Sequence, residues 1–137
     1  MGFHVTVERT DDGGYVARNG RGGEIRFGTS EGDDFTPVEL LLAALGGCNI
    51  VTVEPLTAQR GHRLAKLAAD LQAEKLKPNK LGPITMTYDV LLPADDAEAE
   101  PVFRAVAERV HERYCTVSTA LREQTTVDVE IPETLTS

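Results

Sequence analysis

Cys48 and Cys115 are the side chains best suited to covalent chemistry in this chain of 137 residues. A thiolate is a nucleophile and a metal ligand; the protonated thiol is a poor version of both. Two cysteines therefore admit three roles: inert core residues, metal ligands or a redox pair. Cys48 follows Gly46-Gly47 inside an apolar run. A buried helical cysteine commonly behaves as a small hydrophobe. Cys115 falls at the junction between a long predicted helix and a short one. If it begins the second segment, free backbone N–H groups point toward it and lower the thiol pKa. Otherwise it is a half-buried cysteine at a helix break. His111 stands four residues before Cys115, a helical spacing that can share a metal. With no third ligand nearby, His111 reads better as a helix-end residue whose imidazolium modestly favours a Cys115 thiolate. His62 simply follows the long helix.

The elements that must position these residues are read from hydrophobic spacing. Phe3, Val5 and Val7 alternate with His4, Thr6 and Glu8, the period of a half-buried strand. Asp11-Asp12-Gly13-Gly14 supplies turn chemistry. Tyr15 to Arg18 is a second strand and Asn19 to Gly23 a second turn. Ile25 and Phe27 share one face of a third strand, with Arg26 on the other. The result is a three-stranded antiparallel meander. After a polar loop, Thr36-Pro37-Val38-Glu39 announces a helix: Thr36 caps, Pro37 suits the first helical position, and Glu39 completes a capping box. The following residues, Leu40 to Val51, are apolar on nearly every face, which predicts a buried helix. Gly46 and Gly47 each cost roughly 1 kcal/mol in a helix interior relative to alanine. Their plain use is to let another element approach closely. Pro55 is expected to kink or end the helix, and Gly61 to stop it.

Residues 63–75 fit both helical and strand spacing. Composition favours helix; strand is taken, on the resemblance described below. Ile84, Met86, Tyr88, Val90 and Leu92 alternate as a strand, preceded by a turn through Pro78 and Gly82. Asp95 to Tyr114 reads as a helix with an acidic start, which suits the helix dipole. Its apolar stripe is Val102, Phe103, Val106 and Val110. A short helix follows Cys115, and Val127, Val129 and Ile131 make a final strand. The order β-β-β-α-β-β-α-α-β is an α+β pattern in a single domain over residues 1–137.

The formal net charge is −8. An acidic surface repels phosphate backbones and argues against nucleic-acid binding. The N-terminus lacks a basic region followed by an apolar run, so no secretory signal is expected. The apolar stretch from Leu40 to Val53 is too short to span a bilayer, so no membrane partner is expected. A cytoplasmic address follows, and in a reducing cytosol a structural disulfide is not expected.

The run Pro37-Val38-Glu39-Leu40-Leu41-Leu42-Ala43-Ala44-Leu45-Gly46-Gly47-Cys48 is followed, 67 residues after its cysteine, by Tyr114-Cys115-Thr116-Val117-Ser118. Together they resemble the paired signature of the OsmC/Ohr family of thiol-dependent peroxidases, as a divergent OsmC-like protein. The likeness extends to the element order of nearly the whole chain. It implies antiparallel sheets with a long buried central helix, in an obligate intertwined homodimer with both cysteines near the subunit interface. It also implies that Cys48 attacks the peroxide and Cys115 resolves it. Members of the family use an arginine and a glutamate near the reactive thiol. Their glutamate directly follows the proline eleven residues before the cysteine; here Val38 holds that position and the acid falls at Glu39. One residue turns a helical side chain by about 100°, so Glu39 is either catalytic or only a helix cap. Arg26 lies broadly where the family places its arginine, with a spacing to Pro37 two residues longer. Arg18 and Arg21 are the alternatives, and a solvated surface charge is the plain reading of each.

On this resemblance the chemistry is reduction of a hydroperoxide in oxidative stress defence. An ordinary thiol, pKa about 8.5, is ionised by only a few per cent near neutrality, so full ionisation improves the rate by little more than about tenfold. Orientation of the O–O bond and stabilisation of the departing oxygen must supply the rest. A guanidinium suits that task. Cys48 becomes a sulfenic acid, Cys115 condenses with it to a disulfide, and an external dithiol reduces the bridge. Apolar Leu41, Leu42, Leu45 and Ile50 favour an organic hydroperoxide. No cofactor is expected: no metal, flavin or haem. The alternative is a dimeric, stress-associated binding module whose cysteines are reactive but slow.

Overall fold

A computed structural model describes residues 2–136. The alternating N-terminal residues form three antiparallel strands, β1 (Val5–Arg9), β2 (Tyr15–Asn19) and β3 (Glu24–Phe27). In this register Val7 faces Ala17, Ala17 faces Ile25, and Tyr15 faces Phe27. The Tyr15 and Phe27 rings stack with centroids 5.6 Å apart. Directly opposed residues share a face. One face of the sheet is therefore Val5, Val7, Tyr15, Ala17, Ile25 and Phe27, and the other carries Glu8, Val16, Arg18, Glu24 and Arg26. Val16 is buried, whereas Val5, Val7 and Ile25 remain exposed.

Helix α1 (Pro37–Gln59) starts with the expected capping box. The Thr36 N–H donates to Glu39 Oε1 at 2.8 Å, and the Glu39 N–H donates to Thr36 Oγ1 at 3.2 Å. Of the two outcomes expected at Pro55, a kink or an end, the helix does not end there. A proline removes one rung of the ladder, and the long helix on either side tolerates that loss. Thr52 and Thr57 donate their hydroxyls to the carbonyls of Cys48 and Val53, at 2.7 and 2.8 Å. Gly61, at φ +85, terminates the helix, and its N–H donates to the Ala58 carbonyl.

Nor is α1 buried all round in the single chain: Val51 is 70% exposed, and Ala43 and Ala44 are also exposed. One chain's elements cover only part of an apolar helix. At 23 residues α1 is also long and apolar enough, by length and composition, to cross a membrane. The stretch from Leu40 to Val53 underestimated it because Pro55 lies inside the helix.

Residues in the ambiguous stretch form strand β4 (Lys66–Gln72). A small antiparallel hairpin follows, β5 (Lys75–Leu76) and β6 (Lys80–Leu81), the second of them inside the stretch expected to be a turn. Strand β7 (Thr85–Leu91) pairs with β4. Helix α2 (Ala99–Arg109) buries Ala99, Phe103 and Val106. It begins four residues later than Asp95, and Asp96 instead bonds His62 Nδ1 at 2.6 Å. A π-helical turn (Val110–Tyr114) leads to Cys115 and helix α3 (Thr116–Arg122). The expected last strand does not form: Val127 is 83% exposed, and Val129 and Ile131 are likewise exposed. Alternation defines two faces, but a strand also needs a neighbouring edge to bond, and none of the described strands pairs with this segment.

Contacts divide the chain into two compact units, Met1–Gly47 with Ala68–Asp89, and Cys48–Leu67 with Val90–Ser137. In the first, Gly46 admits Leu71: a Cβ at Gly46 would stand 2.5 Å from Leu71 Cδ1. Gly47 meets nothing within 4 Å, so only one of the two glycines serves close approach. The core of the second unit is Val53, Ala99, Phe103, Val106, Val110 and Cys115.

Candidate active site

Both cysteines belong to the second unit. Cys48 is half-buried on α1, while Cys115 is 0% exposed. The π-helical turn places Cys115. Its N–H donates to the Val110 carbonyl at 2.8 Å, five residues back, and its backbone then swings to an extended conformation as the N-cap of α3. Arg122 fastens this turn by donating to the carbonyls of His111 and Glu112, at 3.1 and 3.0 Å. A cap normally offers oxygen to the first amides of a helix. Here sulfur takes that part: the Ser118 N–H donates to Cys115 Sγ at 3.3 Å.

Two polar side chains complete the surroundings. Asn49, fully buried beside Cys48 in the sequence, donates one N–H to Cys115 Sγ at 3.5 Å and the other to Ser118 Oγ at 3.2 Å. His111 Nδ1 lies 3.1 Å from the same hydroxyl oxygen. Asn49 was not among the candidates in the sequence, where it lies within the apolar stretch from Leu40 to Val53. The signal was there: an amide inside an apolar helix needs hydrogen-bond partners when buried. Ser118 stood in the quoted motif three residues after Cys115, the spacing of a helix cap.

The two thiols lie close enough for each to perturb the other's ionisation. Burial is the largest influence on Cys48 and pushes its thiol above the ordinary range, and the neighbouring Cys115 thiol acts the same way. Burial is also the largest single influence on Cys115. It is outweighed there by the Cys48 thiol, the Ser118 side chain and the N–H groups of Ser118 and Val117, which hold Cys115 below the ordinary range. The pair thus loses its first proton early, leaving charge on Cys115, and its second late. The thiolate absorbance of the reduced protein is expected to rise in two steps that bracket the free-cysteine value of about 8.5. Cys48→Ala should move the lower step upward, because the neighbouring thiol that favours the Cys115 thiolate is removed. A single step at the ordinary value would contradict the coupling.

Glu39 and Arg26 belong to the first unit. Glu39 spends a carboxylate oxygen on the capping box. Arg26 pairs with Asp12 at 3.3 Å, its side chain 52% exposed. Asp12 is held below the ordinary carboxylate range first by the Thr10 hydroxyl, then by the Gly14 N–H and by Arg26. Arg18 is bound between Glu8 and Glu24. Among the described residues no group of three or more His, Cys, Asp and Glu is arranged to hold a metal.

A family model described as "OsmC-like protein" matches residues 30–130. This chain belongs to the OsmC-like family. The matched span includes Glu39 and both cysteines and begins after Arg26. An uncharacterised protein of Mycobacterium tuberculosis is 29% identical over 127 residues, covering 91% of this chain and 93% of that protein. The crystal structure of an OsmC-like protein from Mycoplasma pneumoniae superposes with a TM-score of 0.72 at 16% identity, over 90% of this chain and 89% of the other. The organic hydroperoxide resistance protein OhrB of Bacillus subtilis gives 0.60 at 16% identity, over 90% and 92%. The fold is thus the α+β OsmC-like one, with antiparallel sheets and α1 as its long central helix, a family that includes cysteine-based hydroperoxide peroxidases.

Proposed function

We propose that this OsmC-like protein is a thiol-dependent peroxidase that reduces organic hydroperoxides with Cys48 and Cys115. The observation that carries the reading is the pair itself: two neighbouring thiols, one half-exposed and one buried against the Asn49 amide and the Ser118 N–H. Cys48 is the sulfur a peroxide can reach. As it attacks, its proton passes to the Cys115 thiolate. The new S–O bond forms as the O–O bond breaks, giving Cys48 sulfenic acid and an alkoxide. The alkoxide takes the proton back from Cys115 and leaves as an alcohol. Cys115, a thiolate again, attacks the sulfenic sulfur and expels hydroxide, which is protonated to water. The product is a Cys48–Cys115 disulfide, which an external dithiol reduces. A cytoplasmic setting, where dithiol donors are kept reduced, suits this cycle.

The working unit is a homodimer. Val5, Val7 and Ile25 line an uncovered apolar sheet face, and Val51 stands exposed on α1. Apolar surface of this kind is covered by association. Light scattering of a dilute sample is expected to return twice the chain mass. A stable folded species at the mass of one chain would contradict this.

A dimeric binding module with slow cysteines is the second reading. It is favoured by the ties already made by Glu39 in its cap and by Arg26 to Asp12. Hydroperoxide consumption in the presence of a dithiol separates the two: turnover supports the peroxidase, and its absence the binding module.

A further inference from the structure

We propose that Asn49 and Ser118 clamp Cys115 Sγ as the leaving group of disulfide reduction, so that the reductant attacks Cys48 and forms its mixed disulfide there. The inference rests on the Cys48–Cys115 redox pair of the proposed peroxidase and names the sulfur its reductant meets.

Asn49 has two amide protons, and both are used: one on Cys115 Sγ at 3.5 Å, one on Ser118 Oγ at 3.2 Å. Ser118 Oγ therefore accepts from Asn49, and it accepts from His111 Nδ1, 3.1 Å away, in the tautomer with the proton on that nitrogen. A hydroxyl has two lone pairs and one proton. In that tautomer both lone pairs are occupied and the Ser118 proton is left for Cys115, whose ionisation the Ser118 side chain favours beside the Ser118 N–H at 3.3 Å. Asn49 and Ser118 are buried, so the donors are fixed and need no reorganisation as charge arrives. A disulfide sulfur is a weak acceptor and a thiolate a strong one. The clamp therefore strengthens as the bond to Cys115 breaks, which is differential stabilisation of the transition state.

Access points the same way. Thiol–disulfide exchange proceeds by approach opposite the leaving sulfur, and the better-stabilised thiolate leaves faster. Cys48 keeps exposed surface that a donor thiolate can reach, whereas Cys115 has none. The step balances. A donor thiolate bonds to Cys48 Sγ, the Cys48–Cys115 bond breaks, and its electron pair stays on Cys115. The donor's second thiolate then attacks its own sulfur in the mixed disulfide, closing the donor disulfide and releasing Cys48. The donor loses two electrons and the protein gains them.

The test uses the full-length chain oxidised with diamide, so that bridge formation does not depend on peroxide turnover. A brief exposure to 2-mercaptoethanol, which cannot close a ring, is quenched in acid. Denaturation, alkylation and peptide mapping follow. Mercaptoethanol is expected on Cys48 and the alkyl group on Cys115. The reverse pattern would overturn the proposal, as would failure of diamide to form the bridge. Ser118→Ala should raise the lower thiolate step by about one pH unit, the scale of one hydrogen bond to a charged group. It should slow dithiol reduction by about threefold, following the usual rate dependence on thiol pKa. Ser118→Thr, which keeps the hydroxyl, should restore both; a role confined to packing would not move the titration. Asn49→Ala should act in the same direction, and if it fails to fold, the wild-type map and the Ser118 pair still decide. A wild-type protein that consumes no hydroperoxide yet gives the Cys48 adduct would refute the peroxidase and leave this inference standing.

Discussion

Cys48→Ser is expected to abolish hydroperoxide turnover, a loss on the order of a thousandfold or more, because removal of a covalent nucleophile closes the pathway. Cys115→Ser should behave differently. Cys48 can still be oxidised once, so a first equivalent of peroxide is consumed and a sulfenic acid accumulates. Steady turnover with a dithiol then falls, because no internal disulfide forms for the donor to reduce. The first turnover should also slow, since Cys115 is the group that takes the Cys48 proton. Rapid-mixing measurement of peroxide loss separates the burst from the steady state. A burst in Cys48→Ser and none in Cys115→Ser would exchange the two roles.

Arg26→Ala is expected to lower turnover by on the order of a hundredfold, the scale for losing one electrostatic donor to a developing oxyanion. Three arginines in the N-terminal sheet and its turn are the candidates, and Arg26 is proposed first because the resemblance places the family's arginine broadly there. Arg18 has its charge shared between Glu8 and Glu24. Arg21 lies in the exposed turn between β2 and β3. Among the described residues Arg26 has a single ion-pair partner, Asp12. Exposed pairs are worth little, roughly 1 kcal/mol or less, so a substrate oxyanion can compete for that guanidinium. Arg18→Ala and Arg21→Ala should change turnover only slightly. Glu39→Gln should also have a small effect: the amide still closes the capping box with Thr36, and helix content should be preserved. A steady-state assay with an organic hydroperoxide checks all four variants. Full activity in Arg26→Ala with a dead Glu39→Gln would reverse the assignment.

Local rules made the start of the fold legible. Strand alternation, glycine turns and the capping box are encoded within a few residues, and β1, β2, β3 and the start of α1 follow them. Features that depend on distant partners were not legible in this way. Pro55 marks a missing rung and Gly61 a stop, but Pro55 alone does not say whether the flanking turns carry the helix on to Gln59. Val127, Val129 and Ile131 alternate well, but their pairing depends on an edge supplied from elsewhere. The stretch containing β4 fits both periods, and only the family likeness chose strand. In the site, the two cysteines and the short helix after Cys115 were visible. Their surroundings were not, because Asn49 and Ser118 meet across 69 residues of sequence. The π-helical turn that aims Cys115 has no composition signature of its own.

The most direct measurement is mass mapping of the reduced protein after one equivalent of organic hydroperoxide, in wild type and in Cys115→Ser. An intramolecular Cys48–Cys115 disulfide is expected in the wild type, and a trappable sulfenic acid at Cys48 in the variant. Two unmodified thiols in the wild type, or oxidation that begins at Cys115, would contradict the account.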